Sequence, residues 1–566
     1  MSESCIFCTN KRGGYFFGSS IDFSAYQGWT IFLEEPWELF KIVDSVSGAF
    51  DVNISDKSLF FSNESEQEVV IDLDFRFIHD FDDKGRIYDV YSKDDFLIVK
   101  FTKFSDDSLK DKVFTKFLAI KGLANYNLIF EWVKKYYVYD AERKSRHDFY
   151  VFRLLKGVAK KIVFGVGLTE EDAVVSARVE LPSAGESNFS FIESSQTKLF
   201  DEVKEAILKV DNAFSSCVKI NKNKEFMIFA GYPWFYQVWA RDECISLIGL
   251  FLQKKYDVAR QILLRNLSSM SDEGILPNRF PSSVLGSADS TGWLFQRIRI
   301  FLEFDKSFFS PKDLLLVEQK LDLFLDFCKK NSYKGLVYNG PKETWMDTTG
   351  FNDADTREGA RVEIQALHLS ALHLKHRLRK LSGDSSEASK FKHKLNKKKS
   401  LVRKWLIKNN VLHDGFVNNV LDKTAWPNVF LAYYAYPGLA MKNQWESTFD
   451  FVLGDCWLDW GGLSSIGKST SLFRDTYSGM DNESYHRGDS WFFVNNISAI
   501  VLRKFNSKKY KSYISKIKQA SIHELLYSGF IGFCAEVSSA KNIESKGCLS
   551  QAWSAATLLE LLVEKD

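Results

Sequence analysis

The chain has 566 residues, more than one hydrophobic core usually organises, so we expect at least two domains. Hydrophobic residues make up 45% and charged residues 26%, a balance that excludes an intrinsically disordered chain. The formal net charge is only +2, so no strong electrostatic field favours nucleic acid or a membrane surface as a partner.

The first third of the chain has the composition of β-structure. Its short segments are rich in β-branched and aromatic residues and are separated by charged turns, as expected for a sandwich. The clearest are Glu68–Phe75, Phe96–Phe101, Val113–Ile120 and Lys161–Val166. Asn127–Tyr139 could be a strand or a short helix, and we favour a strand. The polar, turn-rich stretch Leu181–Ser195 is the expected linker, so the sequence predicts a β-sandwich domain over residues 1–190.

Residues 191–566 change to a helical period. In Pro311–Asn331, for example, apolar residues recur every three or four positions and form one stripe. Twelve such helices are expected, beginning near Thr197, Arg241, Asp257, Asp289, Pro311, Val362, Ser386, Pro427, Asn443, Gly488, Lys508 and Ser550. Twelve helices in sequential hairpins close an (α/α)₆ toroid, so the fold class is mainly α with an N-terminal β-sandwich. An irregular α-solenoid is the alternative, but the chain shows no fixed repeat.

Segments rich in Gly, Trp and Asp punctuate the helices, and loops held by a rigid scaffold commonly form ligand sites. In Gly231–Asp242 (GYPWFYQVWARD), Trp239 offers an aromatic plane, Arg241 a fork of donors and Asp242 two acceptors. A hexose needs this combination, because it has an apolar face and many hydroxyls. The alternative is that Arg241 and Asp242 only cap a helix.

Two further segments carry candidate catalytic carboxyls. Glu343–Asp347 (ETWMD) sets two acids beside Trp345, and an aromatic wall suits a proton-donating acid. Both acids could instead be ordinary solvated loop residues. Glu536 lies in an apolar stretch, where burying a lone carboxylate is costly unless it has a partner or a function. An exposed side chain on a core strand is the alternative.

The eight cysteines are scattered apart from Cys5 and Cys8, which is typical of reduced, buried thiols in a cytoplasmic protein. Cys5 and Cys8 lack a second ligand pair for zinc, so we interpret them as ordinary thiols.

The N-terminal residues do not form a secretory signal, and no apolar run is long enough for a transmembrane helix. We expect a cytoplasmic protein without membrane partners; its oligomeric state stays open.

Eight blocks in this order resemble the amylo-α-1,6-glucosidase domain of glycogen debranching enzymes. They are GYPWFYQVWARD, GILPNRF, ETWMD, RVEIQALHLSALH, WPNVFLA, GGLSSI, SYHRGDSW and KGCLSQAWS. The resemblance covers roughly Glu225–Glu564, and an ordered set of blocks is far more specific than one motif. It implies an (α/α)₆ barrel related to glucoamylases and hydrolysis with inversion, with glycogen or a branched α-glucan as substrate. It implies no metal and no cofactor.

The resemblance also implies roles for individual residues. Asp347 matches the general acid and Glu536 the general base. Trp239, Arg241 and Asp242 match the segment that grips the terminal glucose, and Trp345 lies beside the acid. Weaker candidates for sugar contacts are Asn278, Arg279, Asp289, Arg357, Glu363 and His486.

Some positions depart from the family pattern, and they put substrate preference in question more than reaction type. Ala240 replaces a usual Gly, Gly286–Trp293 lacks a usual Tyr-Asn, and the SYHRGDSWFF segment and Val537–Asn542 differ from the usual loops. Three alternatives therefore stay open: a glucoamylase-like exo-α-1,4-glucosidase, a trehalase, and a polysaccharide-binding protein without catalysis.

Overall fold

The structure is a computed structural model of the chain. It describes residues 6–10, 13–17, 28–34, 51–54, 58–75, 84–104, 113–136, 141–178, 197–221, 223–232, 234–280, 286–348 and 357–564. The predicted linker Leu181–Ser195 and the thiol of Cys5 lie outside the described residues, so the domain boundary at residue 190 stays a prediction. Among the described cysteines, Cys217, Cys244, Cys328, Cys456, Cys534 and Cys548 are free and buried.

Among the described residues of the N-terminal part, nine strands pair antiparallel. They are β1 (Ile6–Asn10), β2 (Gly13–Phe17), β3 (Gly28–Glu34), β4 (Asp51–Ile54), β5 (Ser58–Phe75), β6 (Arg86–Lys93), β7 (Phe96–Phe104), β8 (Val113–Tyr136) and β9 (Asp148–Gly167). They join in the order β1-β2-β3-β5-β9-β8-β7-β6, with β4 also paired to β5. All four predicted strand segments lie within this sheet, and β8 includes the described part of Asn127–Tyr139. The described strands follow one hydrogen-bonded path, so a two-sheet sandwich stays a prediction.

Both faces of this sheet carry apolar side chains. Strand alternation sends Leu59 and Phe61 of β5 into one cluster and Phe60 into the other. Helix α1 (Glu170–Arg178) covers the second face, where Ala173 and Ala177 are buried. Alanine on the helix and glycine at Gly165 permit this close packing, because a Cβ at Gly165 would lie 2.4 Å from the carbonyl oxygen of Ala173.

In the described residues from 197 onwards, twelve further α-helices form the second part. They are α2 (Thr197–Cys217), α3 (Ala240–Leu252), α4 (Tyr256–Ser268), α5 (Ser290–Phe304), α6 (Pro311–Lys330), α7 (Val362–Leu381), α8 (Ser385–Leu406), α9 (Asn428–Ala435), α10 (Lys442–Cys456), α11 (Phe492–Asn506), α12 (Lys511–Tyr527) and α13 (Ala552–Val563). Each begins within about four residues of a predicted start, which is the usual uncertainty of such boundaries. The prediction of a mainly helical second part is confirmed.

Alternate helices build a closed ring. Helices α3, α5, α7, α9, α11 and α13 each pack on the next, and α13 packs back on α3. These inner helices are buried on nearly all sides, as α13 shows from Ala552 to Leu562. The outer helices have one buried stripe, which in α6 runs through Val317, Leu321, Phe324 and Cys328. The six inner helices therefore surround a common axis.

Short strands tie the loops at the ends of these helices. They are β10 (Val218–Ile220), β11 (Phe226–Ile228), β12 (Gly231–Tyr232), β13 (Val238–Trp239), β14 (Arg279–Phe280), β15 (Ser332–Tyr333), β16 (Leu336–Val337), β17 (Ala360–Arg361), β18 (Ile407–Lys408), β19 (Val411–Leu412), β20 (Gly415–Val417), β21 (Val420–Asp422), β22 (Trp457–Leu458), β23 (Gly462–Leu463), β24 (Ser490–Trp491), β25 (Val537–Ser538) and β26 (Ser550–Gln551). Several of them immediately precede an inner helix and fix where it starts. Across the described residues, no helix combines the length and apolarity that crossing a bilayer requires.

Candidate active site

A pocket of about 400 Å³ lies at the N-terminal ends of the inner helices. Its volume falls in the range of ~300–1,000 Å³ that small-molecule sites occupy. Of the residues proposed from the sequence, it is lined by Trp239, Arg241, Asp242, Trp345, Asp347 and Glu536. The fold therefore brings both candidate catalytic carboxyls, 189 positions apart in the sequence, to one cavity.

Arg241 is held at the floor of the pocket by Asp289. Its Nε donates to both carboxylate oxygens of Asp289 at 2.7 and 2.8 Å, and both side chains are buried. This bond leaves Nη1 of Arg241 3.5 Å from Oδ2 of Asp347. Asp289 itself does not line the pocket. Asp289 therefore contacts Arg241 from outside the pocket, and its contact with a sugar stays a prediction.

Two short paired strands hold the segment before α3 in place. Trp239 pairs with Arg279 between β13 and β14, and the amide of Ala240 donates to the carbonyl of Asn278 at 3.0 Å. The guanidinium of Arg279 lies 5.6 Å from the ring centre of Trp239. Neither Asn278 nor Arg279 lines the pocket, so both support Trp239 from behind.

Asp347 lies at the edge of the pocket with 29% of its side chain exposed. Its segment is anchored by Trp345, whose Nε1 donates to Oδ1 of Asn428 at 2.8 Å. His486 Nε2 lies 3.6 Å from Oδ1 of Asp347, too far for a hydrogen bond. Burial lowers the pKa of His486, although Asp347 raises it. Glu343, the other acid of this block, accepts from the amide of Gly340 and does not line the pocket.

Arg357 and Glu363 lie outside the pocket, in a buried ion network. Arg357 donates to Glu363 at 2.7 Å and to Asp414 at 2.8 Å. It also donates to Oγ1 of Thr344 at 3.2 Å, and Asn428 donates to Asp414 at 3.0 Å. These bonds join the network to the acid-bearing segment at two points. Arg357 and Glu363 are therefore bonded behind the segment that carries Asp347, and their contact with a sugar stays a prediction.

Glu536 is buried, and both of its oxygens accept hydrogen bonds. The hydroxyl of Tyr485 donates to Oε1 at 2.6 Å, and the amide of Cys548 donates to Oε2 at 2.9 Å. Burial raises the pKa of Glu536 to about 7, although these two donors and the positive charge of Arg143 lower it. Gly547 has a φ of +67°, and a Cβ there would lie 2.3 Å from Oε2, so the loop needs glycine to approach the carboxyl.

Asp242 is the third acid of the pocket. Its Oδ1 accepts from Nε2 of Gln551 at 2.9 Å. Burial raises the pKa of Asp242 to about 8; Arg241 lowers it, whereas Glu536 and Asp347 raise it further. A carboxyl that is largely protonated at neutral pH can both donate and accept, as sugar hydroxyls do.

Aromatic side chains form one wall of the pocket. Trp345 meets Trp491 edge to face at 5.2 Å, and His486 stacks on Trp491 at 5.0 Å. His486 thus lies behind the wall, outside the pocket lining. Within the described part of the chain, the indole N–H groups of Trp239 and Trp553 have no hydrogen-bond acceptor. Both residues line the pocket, but these two nitrogen atoms are themselves buried.

Sequence reasoning missed several pocket residues. Tyr485, Trp491, Gln551 and Trp553 all lie in the SYHRGDSW and KGCLSQAWS blocks, so the blocks were a usable signal. Arg143, Trp234, Tyr477, Met480 and Asn482 also line the pocket. Arg143 comes from the N-terminal part, and no local pattern marks it.

Similar folds occur among solved structures. A bacterial glucoamylase complexed with acarbose aligns over 99% of this chain and 93% of its own, with 11% identity and a TM-score of 0.53. At this identity the likeness shows a shared fold. A GH63 mannosylglycerate hydrolase from Thermus thermophilus, in complex with glucose, aligns over 63% of this chain and 99% of its own, with 12% identity and a TM-score of 0.47.

No curated protein sequence matches this chain significantly. The profile of one protein family, described as amylo-alpha-1,6-glucosidase, matches residues 211–560. This match spans well over half of the chain and includes both candidate catalytic carboxyls. The chain therefore belongs to the amylo-α-1,6-glucosidase family of glycoside hydrolases.

Proposed function

We propose that this protein releases glucose from α-1,6 branch points of glycogen or a limit dextrin, with inversion at the anomeric carbon. Asp347 acts as general acid and Glu536 as general base. The observation that carries the proposal is the pairing of these two acids in one pocket with unlike surroundings. Asp347 is part-exposed at the edge, while Glu536 is buried and accepts two hydrogen bonds.

The donors on Glu536 support its role as the base. A hydroxyl and a backbone amide that both donate to a carboxyl favour its ionised form. With both bonds in place, Glu536 can accept a proton from a water molecule while its oxygens stay oriented. Asp347, at the edge, is placed to reach the oxygen that links the terminal glucose to the next sugar.

The reaction then balances as a single displacement. Protonated Asp347 gives its proton to the glycosidic oxygen as the bond from this oxygen to the anomeric carbon breaks. Water attacks the same carbon from the opposite side and gives its proton to ionised Glu536. An attacking water needs room, so we expect the two carboxyl groups to lie ~6.5–9.5 Å apart. Proton transfers with solvent restore both acids.

The floor of the pocket suits the terminal glucose. Arg241 and Asp242 are buried there, with Gln551 beside them, and they offer both donors and acceptors to hydroxyls. Buried polar residues on one side of the pocket and the exposed Met480 on its lining favour removal of a chain terminus over cleavage within a chain.

The family membership supports the α-1,6 linkage. An exo-α-1,4-glucosidase or a trehalase would use the same acid and base, so these are the alternatives within the same chemistry. A polysaccharide-binding protein without catalysis is the alternative outside it. The retention of both carboxyls and of both donors to Glu536 argues for catalysis.

One substrate comparison tests the proposal. Glucose release would be measured from maltotetraose that carries a single α-1,6-linked glucose, with unbranched maltotetraose as the matched control. Panose, isomaltose, maltose and trehalose would complete the set. We expect the branched compound to be the best substrate. Faster release from unbranched maltotetraose or from trehalose would favour those alternatives, and tight binding without glucose release would favour the non-catalytic one.

A further inference from the structure

A short segment of the N-terminal part, Ala141–Lys144, reaches the pocket of the helical ring. Arg143 is among the residues that line the pocket, together with Trp234, Met480 and Asn482. We propose that Arg143, held over Trp234, is a specificity-determining residue that binds the acceptor sugar, the unit to which the terminal glucose is attached. The inference rests on the proposed glucosidase function and names the subsite that would select the branch.

Contacts between the N-terminal part and the helical part of the chain hold Arg143 in position. The amide of Met480 donates to the carbonyl of Arg143 at 3.0 Å. Ion pairs flank this bond on both sides, Lys144 with Asp481 and Glu142 with Lys546. These residues are hundreds of positions apart in the sequence, so the contact belongs to the tertiary fold and not to local chain geometry.

Gly479 shows how closely the two segments approach. Its φ is +64°, and a Cβ there would lie 2.7 Å from the Cα of Arg143 and 2.8 Å from its carbonyl oxygen. Any other residue would push the segments apart. The backbone of Arg143 is therefore held firmly, and its side chain extends from a fixed point at the pocket.

The side chain of Arg143 is oriented by an aromatic ring. Its Cζ lies 3.7 Å from the ring centre of Trp234, and Nη2 donates to Sδ of Met480 at 3.4 Å. The Nε and Nη1 atoms of Arg143 are buried, whereas Nη2 bonds a thioether, a weak acceptor that a hydroxyl can replace. Arg143 and Trp234 thus form a platform with an aromatic plane and directed donors.

Burial assigns this platform to the acceptor side. Arg241, Asp242 and Glu536 are 5% exposed or less, whereas Met480 is 58% exposed and Arg143, Trp234 and Asn482 are part-exposed. A terminal glucose occupies the closed end of such a pocket, and the next sugar occupies the open end. Asp347, between these environments with 29% exposure, is placed at the bond that would be cleaved.

Arg143 has a second, separable effect through its charge. It lowers the pKa of Glu536, acting with the donors from Tyr485 and Cys548 against burial. A lysine at this position would keep the charge but lose the planar fork. The charge effect should therefore survive Arg143→Lys, while binding of the acceptor sugar should not.

The test compares two substrates that share the terminal glucose. The branched maltotetraose needs the acceptor subsite, whereas α-glucosyl fluoride has no acceptor sugar. For Arg143→Met at pH 8, we expect kcat/KM for the branched compound to fall roughly tenfold or more, mainly through KM, the scale of one lost charge-assisted hydrogen bond. The loss with α-glucosyl fluoride should be at least several-fold smaller. Arg143→Lys should also lose more activity on the branched compound than on α-glucosyl fluoride. The acidic limb of its pH profile should not shift.

Arg146→Met is the matched control. Arg146 is exposed three positions along the same segment and does not line the pocket, so both substrates should be turned over at wild-type rates. Equal losses on both substrates in Arg143→Met, or no loss on either, would overturn the acceptor-site assignment. Wild-type protein that turns over neither substrate would contradict the proposed function itself, and the inference with it.

Discussion

The hydroxyl of Tyr485 lies 2.6 Å from Oε1 of Glu536 and donates a hydrogen bond to it. Burial raises the pKa of Glu536 to about 7, and the bond from Tyr485 is the largest effect that lowers it. A base must be ionised to act, so activity should fall as pH falls through about 7. Tyr485 therefore sets where the acidic limb of the pH profile lies.

Tyr485→Phe should move this limb to higher pH, because loss of the donor favours the protonated carboxyl. We expect activity roughly tenfold lower than wild type at pH 6 and a smaller difference at pH 8, a shift of about one pH unit in the profile of kcat/KM. Tyr434→Phe is the matched control. It removes a hydroxyl that donates to the buried Glu560, outside the pocket, and should leave the limb in place. An unshifted limb in Tyr485→Phe would show that Glu536 is not the titrating base.

Substitution of the two carboxyls should separate their roles. Asp347→Asn should lose about 10²–10⁴-fold on the branched maltotetraose but much less on α-glucosyl fluoride, because fluoride departs without a proton. Glu536→Gln should lose activity on both, since each reaction needs an activated water. Glu343→Gln, the control in the same block, should behave as wild type. The opposite pattern in Asp347→Asn and Glu536→Gln would exchange the two roles.

Asp289 should matter for binding although it does not line the pocket. Asp289→Asn keeps the shape but removes the charge that orients Arg241 through Nε. We expect KM to rise roughly tenfold and stability to fall by about 1–3 kcal/mol, the scale for a hydrogen bond to a charged group. Kinetics and thermal unfolding would measure both. Asp322→Asn, which breaks an ion pair with Lys375 outside the pocket, should leave KM unchanged. An unaltered KM in Asp289→Asn would mean that Arg241 does not need this partner.

Asp489 should destabilise the fold as pH rises. It is fully buried, with a hydrogen bond from Ser484 to Oδ2, and burial raises its pKa to about 8. In the unfolded chain the same group ionises near pH 4, so unfolding releases a proton between these values. The unfolded state then binds fewer protons, and stability contributed by this group falls as pH rises from about 4 to about 8.

Asp489→Asn removes this titration and keeps the shape. We expect the variant to be more stable than wild type at pH 8, by about 1–3 kcal/mol, with the advantage vanishing near pH 4. Chemical unfolding at several pH values measures it. Asp459→Asn, at an exposed position, should show no such trend. A variant that is less stable than wild type at pH 8 would mean that the buried group is ionised and compensated in the fold.

The helices were predictable from the sequence because each inner or outer helix carries its own apolar pattern. Trp239, Arg241 and Asp242 were predictable as pocket residues for a related reason: their segment combines groups that suit a hexose within four positions. The order in which the N-terminal strands pair was not predictable from the sequence, because pairing joins residues as distant as Leu59 and Phe164. Local composition predicts where strands lie but not which strands pair.

The roles of Arg357 and Glu363 depend on what packs around them. The family resemblance made both candidates for sugar contacts, yet in the interior Arg357 donates to Glu363 and to Asp414. Arg143 is the opposite case, a residue that lines the pocket although its sequence did not indicate it. It lies in an unremarkable charged stretch and reaches the pocket only because the fold brings Gly479 and Met480 against it. Such contacts follow from tertiary packing and have no signature in the neighbouring sequence.

The anomeric form of the first product shows directly whether the two carboxyls act from opposite sides of one sugar. Wild-type protein would be mixed with the branched maltotetraose in an NMR tube, and the anomeric proton of released glucose followed before mutarotation. We predict that β-glucose appears first and α-glucose only later, as the anomers equilibrate. Initial release of α-glucose would contradict the account, because it requires retention and a covalent partner in place of an activated water.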